Sequence, residues 1–372
     1  MNEMMGIINL SASTERLKTL TEIRTIGSIP IGGRYRVIDF TLSNMVNSGI
    51  SNIAICTQGR ARSLYDHVGS GKHWDLDRKK DGLFYFHPEA SSIDVVQKKG
   101  DIEIFNSMLN YIRKSKQAYV IISRSYMICN ADLEEMLDFH KEHESDITVL
   151  YKRMNNHVRR FVDCDTVNID ENDDILSIGK NLGKKKYYNV SLEMYLMKRE
   201  LLIDLIEESI HLGDVDYLKQ CIFKQIGEMK IKGFPFDGYL ACINSIQNFY
   251  RTNMDMLLPE VQKELFHGQD LIYTKIKDEP STYYADDSYA SNSLISTGCI
   301  IEGIVENSIL SRGVHVKKGA IIRNSVVMQN SKVGETANIN YMILDKNVEI
   351  SDKRVFNGDV DHPFVIAKNS KV

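Results

Sequence analysis

The 372-residue sequence predicts an α/β domain with a mostly parallel sheet, followed by a parallel β-helix. Three observations carry this. Up to about residue 150, short apolar runs alternate with helix-like patterns, which argues for a sheet covered on both faces by helices. From Leu294 onward helical periodicity vanishes and aliphatic residues recur every six positions. Between the two styles runs a polar stretch, 277–292, rich in Asp, Ser and Tyr.

In the first part the expected strands are 6–8, 52–56, 119–122 and 147–151, with helices at 40–47 and 102–115 between them. Further on, 166–169 and 190–197 read as strands and 200–209 and 215–226 as helices. Residues 244–258 read as a helix that leaves this domain. Beyond the polar stretch, Ile321, Val327, Val333 and Ile339 form one six-residue column, and Leu310, Val316, Ile322 and Met328 a second. Gly303, Gly313, Gly319 and Gly334 sit between them, suited to tight corners. Such a pattern fills the axis of a triangular coil, each turn covering only its neighbours; an ordinary β-sandwich is the alternative. The expected division is 1–258 for the α/β domain, 259–292 for a linker and 293–372 for the β-helix.

Composition narrows the function classes. Hydrophobic residues are 43% and charged residues 26%, enough for a sizeable core. The net charge of −4 gives no global basic field for nucleic acid. The Lys184-Lys185-Lys186 run reads better as a solvated loop than as a phosphate or partner site. Six scattered cysteines without a C-x-x-C pair read as reduced thiols in a cytoplasm. Neither a signal peptide nor a membrane span is expected. The ten histidines lack metal-ligand spacing.

Residues 32–44, GGRYRVIDFTLSN, and the following Val46-Asn47-Ser48-Gly49-Ile50 resemble the G-G-K-[YF]-R-I-I-D-F-x-L-S-N stretch of sugar-1-phosphate nucleotidylyltransferases. His73-Trp74-Asp75-Leu76-Asp77-Arg78 resembles the W-D-L-D-R of bacterial ADP-glucose pyrophosphorylases. Tyr250, Asn253, Met254 and Asp255 resemble Y-W-x-A-N-M-D-L-L. The resemblance covers essentially the whole chain. It implies an N-terminal Rossmann-like (GT-A-like) nucleotidyltransferase domain and a C-terminal left-handed hexapeptide β-helix. The chemistry it implies is attack of a sugar phosphate on the α-phosphate of ATP, aided by Mg²⁺ and basic side chains.

Set beside that family, the positions that touch substrate are replaced. The phosphate loop G-G-R-G-T-R-L corresponds to Ser11, Ala12, Ser13, Thr14, Glu15, Arg16 and Leu17. All three glycines are gone, and with them the close approach of phosphate to backbone amides. The family's two metal aspartates correspond to Ser125 and Cys242, poor ligands for a hard cation. Arg124, in place of a glycine, would repel a cation; that it stands in the metal's place as a fixed charge is the less favoured reading. Asp132 reads as a helix start rather than a substitute metal ligand. The phosphate-binding lysine corresponds to Asn181, and the glycine of S-M-G-I-Y to Glu193. Arg16, Gly100, Ser191 and Tyr195 remain as remnants of a substrate pocket.

The resemblance therefore implies a GlgD-type regulatory subunit, catalytically silent, in glycogen biosynthesis. Its partner would be a GlgC-type catalytic subunit in a heterotetramer, and any Mg²⁺ would be bound by that partner, with no cofactor or metal held here. Arg24 and Arg36 match effector-pocket arginines, candidates for contact with a sugar phosphate, AMP or phosphate, or else structural ion pairs. The β-helix is the expected assembly surface, and no nucleic acid or membrane partner is expected. The other readings are an active nucleotidylyltransferase with an atypical site and a stand-alone sugar-phosphate sensor.

Overall fold

The computed structural model describes residues 3–11, 15–57, 59–87, 100–155, 160–213, 216–268 and 270–372. The chain forms two compact units: Met1–Ser13 with Phe40–Leu240, and Thr14–Asp39 with Ala241–Val372.

Unit 1 is built on a nine-stranded sheet. Its strands are β1 (Met4–Asn9), β2 (Asn52–Cys56), β3 (Gly82–Phe86), β4 (Tyr119–Arg124), β5 (Ile147–Asn155), β6 (Asp165–Ile169), β7 (Ile175–Lys180), β8 (Tyr187–Lys198) and β9 (Ile231–Pro235). The path runs β7-β6-β8-β4-β1-β2-β3, with β5 pairing β8 and β9. From β3 to β4 the sheet is parallel. Antiparallel pairing enters where β8 joins β4, β5 and β6. All six residues of β1 and all five of β2 are buried, which is why they read as unbroken apolar runs.

The helices are α1 (Val37–Asn47), inside which the division between the units falls, α2 (Arg62–Val68), α3 (Ile102–Ser107), α4 (Leu109–Lys114), α5 (Leu133–Glu142), α6 (Arg199–Leu212) and α7 (Leu218–Lys224). The single helix expected over 102–115 is two, α3 and α4, joined at Met108. Asp132 caps α5 by accepting from the Glu134 and Glu135 amides, as its position suggests. Phe105, Ile112, Ile206 and Ile222 pack with Met5, Ile7 and Val120 into one core.

Unit 2 holds α8 (Ile246–Asp255), α9 (Pro259–Phe266) and three parallel five-stranded sheets. Helix α8 does lie outside the sheet unit. The expected 259–292 linker contains α9 and the first two β-helix strands, Tyr283–Tyr284 and Tyr289–Ser291. The division also takes Thr14–Asp39 out of the expected N-terminal domain.

The coil period needs a correction. The interior line is Leu310, Val316, Ile322, Val327, Val333, Ile339, Leu344 and Ile350, all buried in one cluster. Its steps are six, six and then five, so partners on successive coils lie 17 residues apart. One short side per coil shifts the phase by one residue. A strict six-residue count then splits the line into two apparent columns. Ile321 accordingly is half-buried beside the inward Ile322. Each short corner is closed by side-chain ladders. Asn324 donates to Asn340 at 2.9 Å and Asn340 to Asn357 at 2.9 Å. Ser308 Oγ accepts from the Ser325 amide and Ser325 Oγ from the Met342 amide, each at 3.1 Å. Asn292, Asn307 and Asn324 take the left-handed corner conformation that asparagine tolerates.

Candidate functional site

In unit 1 the parallel strands β1 and β4 end side by side, Asn9 opposite Arg124. The carboxyl edge of such a sheet is where α/β proteins bind ligands. Here the edge is filled by a cluster of charged side chains. Asp101, just before α3, is buried; its Oδ1 accepts from the Leu218 amide at 2.8 Å. Its Oδ2 accepts from Asn9 Nδ2 at 2.7 Å and from Arg124 Nη2 at 2.9 Å. Arg124, 7% exposed, also donates from Nη1 to the Ser11 carbonyl at 2.8 Å and to Ser11 Oγ at 3.2 Å. Its Nε lies 3.5 Å from Glu193 Oε2. The Tyr126 hydroxyl donates to the other Glu193 oxygen.

Glu193 reaches this place at a cost. Its φ is +52°, a conformation natural to glycine, at an irregularity in the β8–β5 ladder. Ser191 Oγ accepts from its amide at 3.1 Å. Beside the cluster, Lys219 Nζ lies 2.7 Å from Asp165 Oδ2. Burial works against the Lys219 charge, but Glu193 and Asp165 outweigh it and hold its pKa above the usual lysine value. Burial opposes the Arg124 charge in the same way, and Glu193 and Asp101 reverse it. Burial, with Glu193 next, pushes the Tyr195 phenol well up. The cavity left among these groups is about 10 Å³, room for roughly one water.

These residues do not fit Mg²⁺. The two acids nearest the strand ends, Asp101 and Glu193, both lie against the one Arg124 guanidinium, and Asp101 also accepts from Asn9 and the Leu218 amide. Among the described residues no group of three or more His, Cys, Asp or Glu is placed to hold a metal.

The remaining sequence candidates fall as follows. Ser125 is buried in unit 1, and Cys242 is buried in a two-residue strand of unit 2. Ala12, Ser13 and Thr14 lie outside the described residues. Asn181 is a structural latch: it donates to the Phe161 carbonyl and accepts from the Gly183 amide, each at 2.9 Å. Gly100 is required by packing, because a Cβ there would lie 1.8 Å from the Asp216 carbonyl oxygen. Arg16 is exposed and belongs to unit 2, apart from the unit 1 remnants Gly100, Ser191 and Tyr195. Arg124, expected to repel a cation, pairs with two carboxylates, Asp101 and Glu193. Glu193 was visible only as a lost glycine. Nothing in the linear sequence joins it to a residue 69 positions earlier.

Unit 2 gathers cations. Arg24 is buried and ion-paired with buried Asp345. Its Nη1 is buried without a hydrogen-bond partner among the described residues. Arg36 donates to the Ser28 carbonyl at 3.2 Å, and its amide to Asp39 at 2.9 Å. Lys346, which the sequence reading missed, is pushed down to about 7 by burial, then by Arg36 and Arg24, with Asp345 opposing. Burial and Arg34 lower Arg312, and burial with Arg312 and Arg36 lowers Lys277. The cations Arg24, Arg34, Arg36, Lys277, Arg312 and Lys346 thus act on one another in unit 2, with the buried carboxylates Asp39 and Asp345 among them.

Comparison with known proteins places this geometry in context. A nucleotidyl transferase family model matches residues 6–162, and a model described as GlmU-like, C-terminal hexapeptide matches residues 281–362. The chain is 36% identical to the glycogen biosynthesis protein GlgD of Bacillus subtilis (strain 168), over 99% of this chain and 96% of that protein. It is also 36% identical to GlgD of Geobacillus stearothermophilus, over 86% of this chain and 83% of that one. A glucose-1-phosphate adenylyltransferase of Bacillus cereus is 31% identical over 95% of each chain. Among the described residues no helix is long and apolar enough to cross a membrane.

Proposed function

Because the chain belongs to the glucose-1-phosphate adenylyltransferase family, on its GlgD side, we propose that it serves glycogen synthesis as a catalytically silent regulatory subunit of a catalytic adenylyltransferase. The observation that carries this is the Arg124 cluster. A guanidinium tied to Asp101, Glu193 and the Ser11 carbonyl occupies the strand edge where the family's reacting groups would lie. The polar groups there are held by one another, and the cavity of about 10 Å³ among them leaves no room for a triphosphate. Mg²⁺ belongs to the catalytic partner, and the assembly is a heterotetramer.

Regulation runs through the unit 2 cations. Arg24, Arg36 and Lys346 form a site for a phosphorylated effector, supported by the unpartnered Arg24 Nη1 and the depressed Lys346. Assembly uses the β-helix, whose outer surface carries exposed Tyr289 and Val355 and half-buried Ile304 and Ile321.

The experiment combines the purified chain with a catalytic subunit and measures mass and ADP-glucose formation from ATP, Mg²⁺ and glucose 1-phosphate. The expected result is a mixed tetramer with enhanced turnover and none from this chain alone. Turnover by the lone chain would favour an active enzyme with an atypical site. A tight effector complex without assembly would favour a stand-alone sensor.

A further inference from the structure

Unit 1 carries an open cleft of about 380 Å³ on strands β5, β6 and β8, the size of ordinary small-molecule sites. It shares no lining residue with the cavity around Arg124. Register builds its floor. Asn189 lies opposite both Arg153 and Val167, so these three stand abreast on one face of the sheet. Ile169, two residues beyond Val167, prolongs an apolar strip. Tyr187, two residues before Asn189, adds an aromatic ring that is 52% exposed.

The cleft is lined by two cations, Arg153 and Lys185, and two acids, Asp170 and Asp173. Arg153 and Lys185 are exposed, and among the described residues neither pairs with a carboxylate. The Arg153 guanidinium lies over the Tyr187 ring, 5.9 Å from its centre, and Lys186 lies at 5.4 Å. Of the two lining acids, Asp170 is spent on its own turn, accepting from the Asn172 and Asp174 amides at 2.9 and 2.8 Å. That leaves Asp173. The Lys184-Lys185-Lys186 run, which reads as a solvated loop in the sequence, delivers its middle residue to this rim.

We propose that this cleft binds a phosphomonoester carried on a small ring. Arg153 and Lys185 hold the phosphate, the ring lies on half-buried Ile169 beside Tyr187, and the Asn189 amide meets a hydroxyl. Sugar phosphates and nucleoside monophosphates share this chemistry.

The test is calorimetry on the full chain with three probes: glucose 1-phosphate, adenosine monophosphate and inorganic phosphate. Three proteins are compared: wild type, the double variant R153Q/K185Q, and K346Q, which weakens the separate unit 2 cluster. Because Arg153 and Lys185 are exposed, the double variant folds, and unchanged Trp74 fluorescence checks this. The expected result is a binding event retained in K346Q and weakened at least about tenfold in R153Q/K185Q, the size of one charge-assisted hydrogen bond. Whichever organic phosphate binds more tightly identifies the ring. Absence of binding in K346Q, or an unchanged isotherm in R153Q/K185Q, would overturn the proposal. Equal affinity for inorganic phosphate would overturn the role given to the floor and Tyr187.

Discussion

Arg124→Ala is the sharpest perturbation of unit 1. Arg124 is 7% exposed, and its partners Asp101 and Glu193 are 1% and 4% exposed. Removing the guanidinium leaves two buried carboxylates without their cation and the Ser11 carbonyl without its donor. Breaking a buried pair in this way costs about 3–5 kcal/mol. Glu193→Gly behaves differently. Arg124 keeps Asp101, and the backbone at φ +52° relaxes, which offsets part of the lost contact. Combining the two removes a positive and a negative charge together, so the double variant should be more stable than the sum of the single effects. A coupling of about 0.5–3 kcal/mol is expected. The assay is urea unfolding followed by tryptophan fluorescence. Trp74 is the sole tryptophan, 1% exposed, and lies in unit 1, so it reports the unit that holds the cluster. An Arg124→Ala variant within about 0.5 kcal/mol of wild type would refute the reasoning, since surface substitutions fall in that range. Strict additivity of the two substitutions would refute the pairing.

Four other outcomes are expected. Phosphate binding to unit 2 should weaken as pH rises through about 7, where Lys346 loses its charge, and Lys346→Gln should flatten that profile when titrated by calorimetry. The same lysine sets a stability trend. Its folded pKa lies below the unfolded one, so the unfolded chain binds more protons above pH 7 and stability should rise from there toward the ordinary lysine range, as denaturant midpoints across pH would show. Ser325→Ala strands the buried Met342 amide and should cost about 1–3 kcal/mol, read by urea titration of the β-sheet circular dichroism signal. Gly100→Ala must displace the Asp216 backbone or itself, and about 1–3 kcal/mol or more of lost stability, by Trp74 fluorescence, is the expected price.

The sheet was legible because its central strands are apolar without interruption: β2 matches its expected span of 52–56, and β1 and β4 extend theirs by a few residues. The β-helix was legible as a class, but its period was not. A five-residue side cannot be told from a six-residue one by spacing until Ile322 and Val327 are known to share an interior. The substituted positions of the unit 1 site were readable one by one as lost glycines and a lost aspartate, Ser125. What replaced them was not, because Arg124 and Glu193 belong to different strands and meet only through the β4–β8 pairing. Lys346 carries no local signal. Its unusual chemistry comes first from burial, which one sequence does not disclose, and then from Arg36 and Arg24, more than 300 positions earlier.

The assignment of Thr14–Asp39 to unit 2 governs how the protein can be made. This segment is made before Phe40–Leu240 of unit 1, while the rest of its unit, Ala241–Val372, is made after it. Leu17, Leu20, Ile26, Ile29 and Ile31 are all buried in the finished chain. Arg24 waits for a partner 321 residues away. While Phe40–Leu240 is being made, this apolar stretch lacks the rest of its unit, a condition that favours aggregation of a nascent chain. The same topology forbids dissection. A chain cut after residue 258 would retain that stretch without most of its unit, and a separate β-helix fragment would lack the strip that completes it. Neither half that looks like a module in the sequence coincides with a whole compact unit.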